Sequence, residues 1–233
     1  MILLSDRKIS VYDCPYLEGK KTAVTYFFAE DLSAQELSRY LSKGWRKFSR
    51  YYFKDNCTGC KLCVPIRIPV HTITLSKSQK RILKKNEDVE VYFRPLSFRP
   101  EIYEIYRDHS EGKFQNKDSD FETFLMNFFV PSAPALQSEY YIDGKLAGVG
   151  FLDQSGNSLS SVYFIYKMEH AKRGLGTFSV LKEIEYCVKQ NYRYYYLGYF
   201  IENNEKMNYK NRFYPHELMD WKTGKWNRID KPE

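Results

Sequence analysis

The sequence predicts an α+β protein of two lobes, a basic and cysteine-rich first lobe over residues 1–95 and a second lobe over 96–233 built on a mixed β-sheet. Three observations carry this reading. Residues 43–94 hold thirteen Lys or Arg against four Asp or Glu, a net of +9, whereas the rest of the chain nets −2 within an overall +7. Three of the five cysteines fall at Cys57, Cys60 and Cys63, inside that basic block. In the second half the apolar spacing changes from helical to alternating, then returns to one helix and one strand. Pro95 and Pro100 bracket the junction, because proline interrupts regular pairing and suits a connecting segment. With 233 residues, 43% apolar and 17% aromatic, the chain can fill real cores.

The opening Met1-Ile2-Leu3-Leu4 meets Asp6, Arg7 and Lys8 too soon for a signal-peptide apolar region, and no run approaches transmembrane length. A cytoplasmic location is expected, with no membrane partner. Ser33 and Glu36 form a capping box, Leu37, Tyr40 and Leu41 follow at helical spacing, and Gly44 stops the helix. The basic block then interleaves with Trp45, Phe48, Tyr51, Tyr52 and Phe53, the electrostatic footprint of a nucleic-acid partner.

Cys57, Cys60 and Cys63 cannot all pair as disulfides, whereas tetrahedral zinc and iron–sulfur clusters both use the Cys-x-x-Cys step. A fourth ligand is needed, and Cys14 is the candidate, since Cys187 lies in an amphipathic helix. The run of three with Pro65 nearby leans towards iron–sulfur; spacing does not separate it from zinc. An odd cysteine count without a secretion signal argues against a disulfide scaffold. Ile66, Ile68 and Val70 alternate as an edge strand, Ser76 or Ser78 starts a basic helix through Lys85, and Val89, Val91 and Phe93 alternate as a strand.

In the second lobe, Ile102, Ile105 and Tyr106, then Phe121, Phe124, Leu125 and Phe128, mark two amphipathic helices joined by a polar loop. Residues 140–142 and 146–152 flank the hairpin signal Asp143-Gly144, and a third strand follows the turn at Ser155-Gly156-Asn157, giving three antiparallel strands. Next come a loop with Gly174 and Gly176, a helix with Leu181, Ile184 and Val188 on one face, and a parallel strand over 194–199. This β-β-β-loop-α-β order is that of the acetyltransferase-like acyl-transfer fold, in which amides at the helix start receive an anionic group.

Together the motifs resemble the aminoacyl-tRNA–protein transferase family of bacterial leucyltransferases and eukaryotic arginyltransferases. The resemblance runs through Cys14-Pro15-Tyr16-Leu17, Gly44-Trp45-Arg46-Lys47, the Cys57 to Arg67 run, and the Ser76 to Arg81 run. It continues through Leu159-Ser160-Ser161-Val162-Tyr163, Leu175-Gly176-Thr177, Tyr196-Leu197-Gly198-Tyr199, Lys206-Met207-Asn208-Tyr209-Lys210 and Pro215-His216-Glu217. It implies transfer of an amino acid from charged tRNA to the α-amine of a protein beginning with Asp or Glu, marking that protein for degradation. Leucyl-tRNA is the favoured donor, because the chain has one early cysteine and lacks the Cys-Cys pair of the arginyl type. No DNA partner is expected.

Arg46, Arg67, Lys77 and Arg81 are candidates for tRNA phosphates or for the acidic side chain, undivided between the two tasks, and Gln79 sits in the same stretch. Gly174 and Gly176 would lend amides. Asp153 matches an acidic family position that would hold or deprotonate the amine. Tyr196, Tyr199, Asn208, Tyr209 and Lys210 match the C-terminal motif and would contact the ester or the terminal adenosine, with Tyr199 and Tyr209 assigned beside Asp153 to the chemistry. An α-amine of pKa near 8 is substantially neutral at cellular pH, so positioning outweighs a strong base, and no Ser/His/Asp triad is present. His170 and His216 read as structural.

The chain departs from the family where Gly174-Leu175-Gly176 stands for Ser-Leu-Gly and where Gly44 to Ser49 replaces arginine pairs, which leaves amino-acid and target choice open. Two alternatives explain parts of the chain. An acetyl-CoA-dependent N-acetyltransferase uses the second half alone, and a zinc- or cluster-containing RNA-binding protein uses the charge and cysteines alone.

Overall fold

The computed structural model describes residues 1–114 and 120–231, Phe114 in its backbone alone. The chain begins with β1 (Ile2–Leu3), β2 (Lys8–Asp13) and β3 (Lys21–Glu30). Next come α1 (Ala34–Ser42), β4 (Arg46–Phe48) and β5 (Tyr51–Asp55). These strands form a small antiparallel sheet in the order β1-β3-β5-β4, with β2 also on β3. Helix α1 starts at the expected capping box, Ser33 accepting from the Glu36 amide and Glu36 from the Ser33 amide. It ends before Gly44, whose φ is +80°. A Cβ at Gly44 would meet Met219 Cε at 2.5 Å, the movable tip of a flexible side chain, so it is the positive φ that calls for glycine at position 44.

The remaining elements are β6 (Val64–Pro69), α2 (Lys77–Lys85), β7 (Glu90–Pro95), α3 (Pro100–Phe114) and α4 (Phe121–Phe128), followed by β8 (Ala135–Ile142), β9 (Lys145–Ser155) and β10 (Ser158–Tyr166). The chain closes with α5 (Leu175–Lys189), β11 (Tyr194–Phe200), β12 (His216–Met219) and β13 (Trp226–Ile229). Their strands make one eight-stranded sheet in the order β13-β12-β6-β11-β10-β9-β8-β7, antiparallel except for the parallel pair β10–β11. The expected hairpin, third strand, connecting helix and parallel strand are all present in an acetyltransferase-like mixed sheet. Residues 115–119 of the polar loop expected between α3 and α4 lie outside the described residues.

Two features differ from expectation. Sheet membership changes between β5 and β6 rather than at residue 96, so β6 and β7, both from the basic half, are strands of the large sheet. And β6 is interior rather than an edge, lying between β11 and β12. Pro65 and Pro69 remain tolerable because β12 pairs with β6 only at Ile66 and Arg67, between the two prolines.

One face of the large sheet packs on α5 and α2 through a cluster including Ile66, Ile68, Leu159, Leu181, Ile184 and Tyr195. The other face packs on α3 and α4 through Ile102, Ile105, Phe124, Phe128 and Phe151, and on α1 and the small sheet through Phe27, Leu37, Leu41, Tyr52 and Tyr196. Under α5, Glu183 is fully buried with no cation: its carboxyl accepts from Ser138 Oγ at 2.9 Å, from Tyr140 and from Tyr195. Burial pushes this carboxyl up to about 7, against the pull of the hydroxyl donors. Among the described residues, no helix is long and apolar enough to cross a membrane.

Candidate active site

Strands β10 and β11 pair for three residues only, Ser158 to Ser160 against Tyr194 to Tyr196. Each then shifts register against its other neighbour, β10 between Ser161 and Tyr163, β11 between Tyr196 and Gly198. The strands therefore part at Ser161 and Gly198, and side chains satisfy backbone groups that a partner strand would otherwise hold. Arg46, from β4, donates to Ser160 Oγ at 3.0 Å and to the Ser161 carbonyl. Lys210 donates to the Tyr199 carbonyl at 2.8 Å. The two cations flank Gly198, whose φ is +90°: a Cβ there would lie 3.5 Å from Arg46 Nε and 3.6 Å from Lys210 Nζ.

Both side chains are buried, each residue about one-twelfth exposed at 8%. Among the described residues, their polar contacts are neutral oxygens and, for Lys210, the Met207 sulfur. Burial, reinforced by Arg46, lowers the Lys210 amine to about 7. On the adjoining strand Asp153 sits opposite Ser160 and is paired with Lys47 at 2.8 Å, both side chains buried. Burial raises the Asp153 carboxyl while Lys47 and Arg46 oppose that shift. The pair borders a small apolar pocket of Leu96, Phe128, Phe151, Leu152 and Val162. Tyr199 completes the group, its hydroxyl donating to the Gly44 carbonyl at 2.9 Å.

Of the residues expected from the sequence, then, Arg46, Asp153, Tyr199 and Lys210 come together. Others stand apart. Arg67 is paired with Glu217 at 2.6 Å, donates to the Tyr196 hydroxyl at 3.1 Å, and lies between the Tyr194 ring at 3.7 Å and the Trp226 ring at 4.2 Å. Tyr209 packs against the main core beneath α5 with Leu152 and Phe200, whose strand neighbours Asp153 and Tyr199 alternate to the other face, and burial pushes its hydroxyl up to about 12. Lys77 and Arg81 are exposed on α2, whereas Gln79 is buried and holds the helix start through Ser76 and the Arg212 carbonyl. Asn208 is half-buried in a 3-10 turn. Gly174, at φ +73°, turns the chain into α5, and a Cβ at Gly176 would meet nothing within 4 Å.

Lys47, Ser160, Ser161 and Gly198 belong to the group and carried no separate role in the sequence reading. Each lies inside a motif quoted there, and only the parting of β10 and β11 marks them out. His216 is buried with Nδ1 3.0 Å from the Phe213 carbonyl, a structural role as expected.

The cysteines lie close to this group, Cys63 standing one residue before β6, where Val64 and Pro65 pair with Phe200 and Tyr199. Cys57 Sγ accepts from the Ala23 amide at 3.3 Å and lies 3.2 Å from Thr22 Oγ1. Burial, Asp55, Cys57 and Cys14 all push the Cys63 thiol up. One oxygen of the buried Asp55 carboxyl has no hydrogen-bond partner. These donors and this orphaned oxygen suit a bound cation in kind, but among the described residues no three His, Cys, Asp or Glu side chains are gathered as a ligand set. Cys187 is buried in α5 as expected.

Comparison with known proteins covers nearly the whole chain. Residues 12–81 match the family model described as arginine-tRNA-protein transferase, N terminus, and residues 99–220 match its C-terminus model. A Helicobacter hepaticus protein named aspartate/glutamate leucyltransferase is 31% identical over 92% of this chain and 90% of its own length. A Marinobacter nauticus protein of the same name is 30% identical over 94% and 93%. Among solved structures, L-PGS from Bacillus licheniformis superposes with a TM-score of 0.50 at 15% identity, over 77% of this chain and 54% of that one, a likeness of fold alone.

Proposed function

We propose, from the premise that this chain belongs to the arginine-tRNA-protein transferase family, that it transfers leucine from leucyl-tRNA to the α-amine of proteins beginning with Asp or Glu, in the cytoplasm, where charged tRNA is available. The names of the relatives support the donor and the acceptor. The observation that carries the reading is the Arg46–Lys210 pair: two buried cations at the parting of β10 and β11 whose described partners are neutral. Asp153 is the acid that acts on Arg46, but it is already paired with Lys47, so three buried cations stand against one carboxylate, and an acidic side chain of the acceptor supplies a further negative charge.

The reaction is aminolysis of an ester. The neutral α-amine attacks the aminoacyl carbonyl carbon, the C–O bond to the terminal ribose oxygen breaks, and the proton lost by the amine ends on that oxygen. Seating the acidic side chain on Arg46 and Lys210 fixes the amine, which lies three bonds from the carboxyl carbon in Asp and four in Glu, so the gain is positional. Asp153, held by Lys47 and opposite Ser160, is the nearby group able to orient or receive the amine proton, and its raised pKa suits that exchange. The exposed cations of α2, Lys77, Lys80, Arg81 and Lys84, are placed to meet tRNA phosphates.

In the same reading Cys14, Cys57, Cys60 and Cys63 hold a zinc ion or an iron–sulfur cluster. Its support is the donor chemistry around Cys57 and the orphaned Asp55 oxygen. The group would stiffen the loop that ends at Cys63, one residue before β6.

The test is mass spectrometry of peptides starting with Asp, Glu, Arg or Ala after incubation with the protein and leucyl- or arginyl-tRNA. Addition of one leucyl residue to the Asp and Glu peptides alone is expected. Arginyl addition overturns the donor, and modification only with acetyl-CoA overturns the reaction.

A further inference from the structure

We infer that the aromatic face of the small sheet is a stacking platform for single-stranded nucleotides, the unpaired 3′ end of the donor tRNA. This rests on the transferase reading and adds to it a surface. The register sets Tyr26 opposite Phe53 and Phe28 opposite Tyr51, so four aromatic side chains share one face of β3 and β5. Their rings form a continuous ladder: Tyr26 to Phe28 at 6.0 Å, Tyr26 to Tyr51 at 5.3 Å, Phe28 to Tyr51 at 5.5 Å, and Tyr51 stacked on Phe53 at 5.4 Å.

None of these four rings belongs to a core cluster, whereas Phe27 and Tyr52, on the opposite face of the same strands, stack at 5.1 Å inside one. Phe28 is 40% exposed, and Tyr12, one strand over on the aromatic face, is 45% exposed. Thr22 and Val24 close one end of this face, but the four rings beyond them are exposed or partly exposed, and stacking on successive rings is how sheets hold unpaired bases without reading their sequence.

Position and charge favour nucleic acid over another occupant. The ladder leads into the site: Phe53 lies opposite Arg46 in the β4–β5 register, and its ring is 6.4 Å from Tyr199. An aminoacyl group at the end of a strand laid along these rings is delivered to the parting of β10 and β11. Exposed Lys8 lies opposite Tyr26 on this face. Glu30 does not cancel this charge, since it is paired with Arg50 at 3.1 Å.

The experiment uses leucyl-tRNA carrying 2-aminopurine at the unpaired base just before the terminal CCA, with the wild-type protein first shown to leucylate an Asp-starting peptide. Quenching of the probe on binding is expected. The double substitution Phe28→Leu and Tyr51→Leu keeps apolar area and removes two ring faces. It should abolish the quench and weaken tRNA binding roughly ten- to a hundred-fold, from about 1–3 kcal/mol per stacked base. The thermal midpoint and the KM for the acceptor peptide should stay near wild type, and Phe28→Trp with Tyr51→Phe should keep both quench and affinity. Unchanged tRNA affinity in the leucine variant overturns the platform. So does a rise in acceptor KM with tRNA binding intact, which would make this face a protein-docking surface. A wild-type protein that transfers nothing refutes the transferase reading instead, and is scored separately from the quench.

Discussion

Two buried arginines stand against β11, and they are built for different ends. Arg67 has a carboxylate at 2.6 Å and aromatic rings on both sides, so its charge is cancelled inside the fold. Arg46 is as deeply buried but is held by a serine hydroxyl and a carbonyl, with Lys210 across Gly198 rather than an acid. A cancelled charge stiffens structure, whereas an uncancelled one is held ready for a ligand that brings the opposite sign. The buried Glu183 is the negative counterpart of Arg46, a carboxyl among hydroxyls, and burial makes it hold its proton up to about pH 7.

The contrast can be broken most strongly at Arg67. Glu217→Ala should lower unfolding free energy by about 3 kcal/mol in urea denaturation, because it leaves a buried guanidinium without its partner, while the folded fraction keeps its selectivity for acidic acceptors. The effect at Glu183 is slightly smaller and depends on pH. Its carboxyl is raised from 4.5 to about 7 in the folded chain, so its contribution to stability is fully present below about 4.5 and is lost as pH rises through about 7. Glu183→Gln should therefore raise stability by up to about 3 kcal/mol at pH 8 and leave it nearly unchanged at pH 4.5, measured by thermal unfolding across that range.

Arg46→Met sharpens the comparison from the other side. It should cut kcat/KM for Asp- and Glu-starting peptides by about 30- to 100-fold, while lowering stability by only about 1–2 kcal/mol for the Ser161 carbonyl it leaves unpaired. At the same site, KM for acidic acceptors should climb as pH rises through about 7, where Lys210 loses its charge, and Lys210→Met should flatten that climb. The smallest effects belong to α2. Lys77→Ala and Arg81→Ala should each weaken tRNA binding a few-fold and reduce the salt dependence by about one phosphate contact, with the acceptor KM unmoved.

Much of the large sheet was legible, since its hairpin, turn residues and connecting helix are local signals: Asp143-Gly144 and the apolar face of α5 each sit in one stretch of chain. The small sheet was not. Lys21–Glu30 has strand residues but buries side chains on both faces, so it lacks clean alternation, and β4 is three residues long. Within the site, the motifs already contained Arg46, Asp153, Tyr199 and Lys210. Their grouping depends on where β10 and β11 part, a tertiary event that no local pattern records. The same reason hid the difference between Arg46 and Arg67: Glu217 is 150 residues from its partner. Tyr209 misled because a motif residue adjacent to Lys210 packs the opposite way on its turn.

Strand β6 also sets a clock for synthesis. Both of its neighbours, β11 and β12, lie more than 120 residues downstream of Pro69. At about 5–20 residues per second, the ribosome leaves β6 without a partner for on the order of ten seconds. An unpaired apolar strand in that interval invites pairing with other chains. Pro65 and Pro69 break its run of backbone donors at both ends, so the same prolines that limit its contact with β12 also protect the nascent chain until its own C-terminal strands arrive.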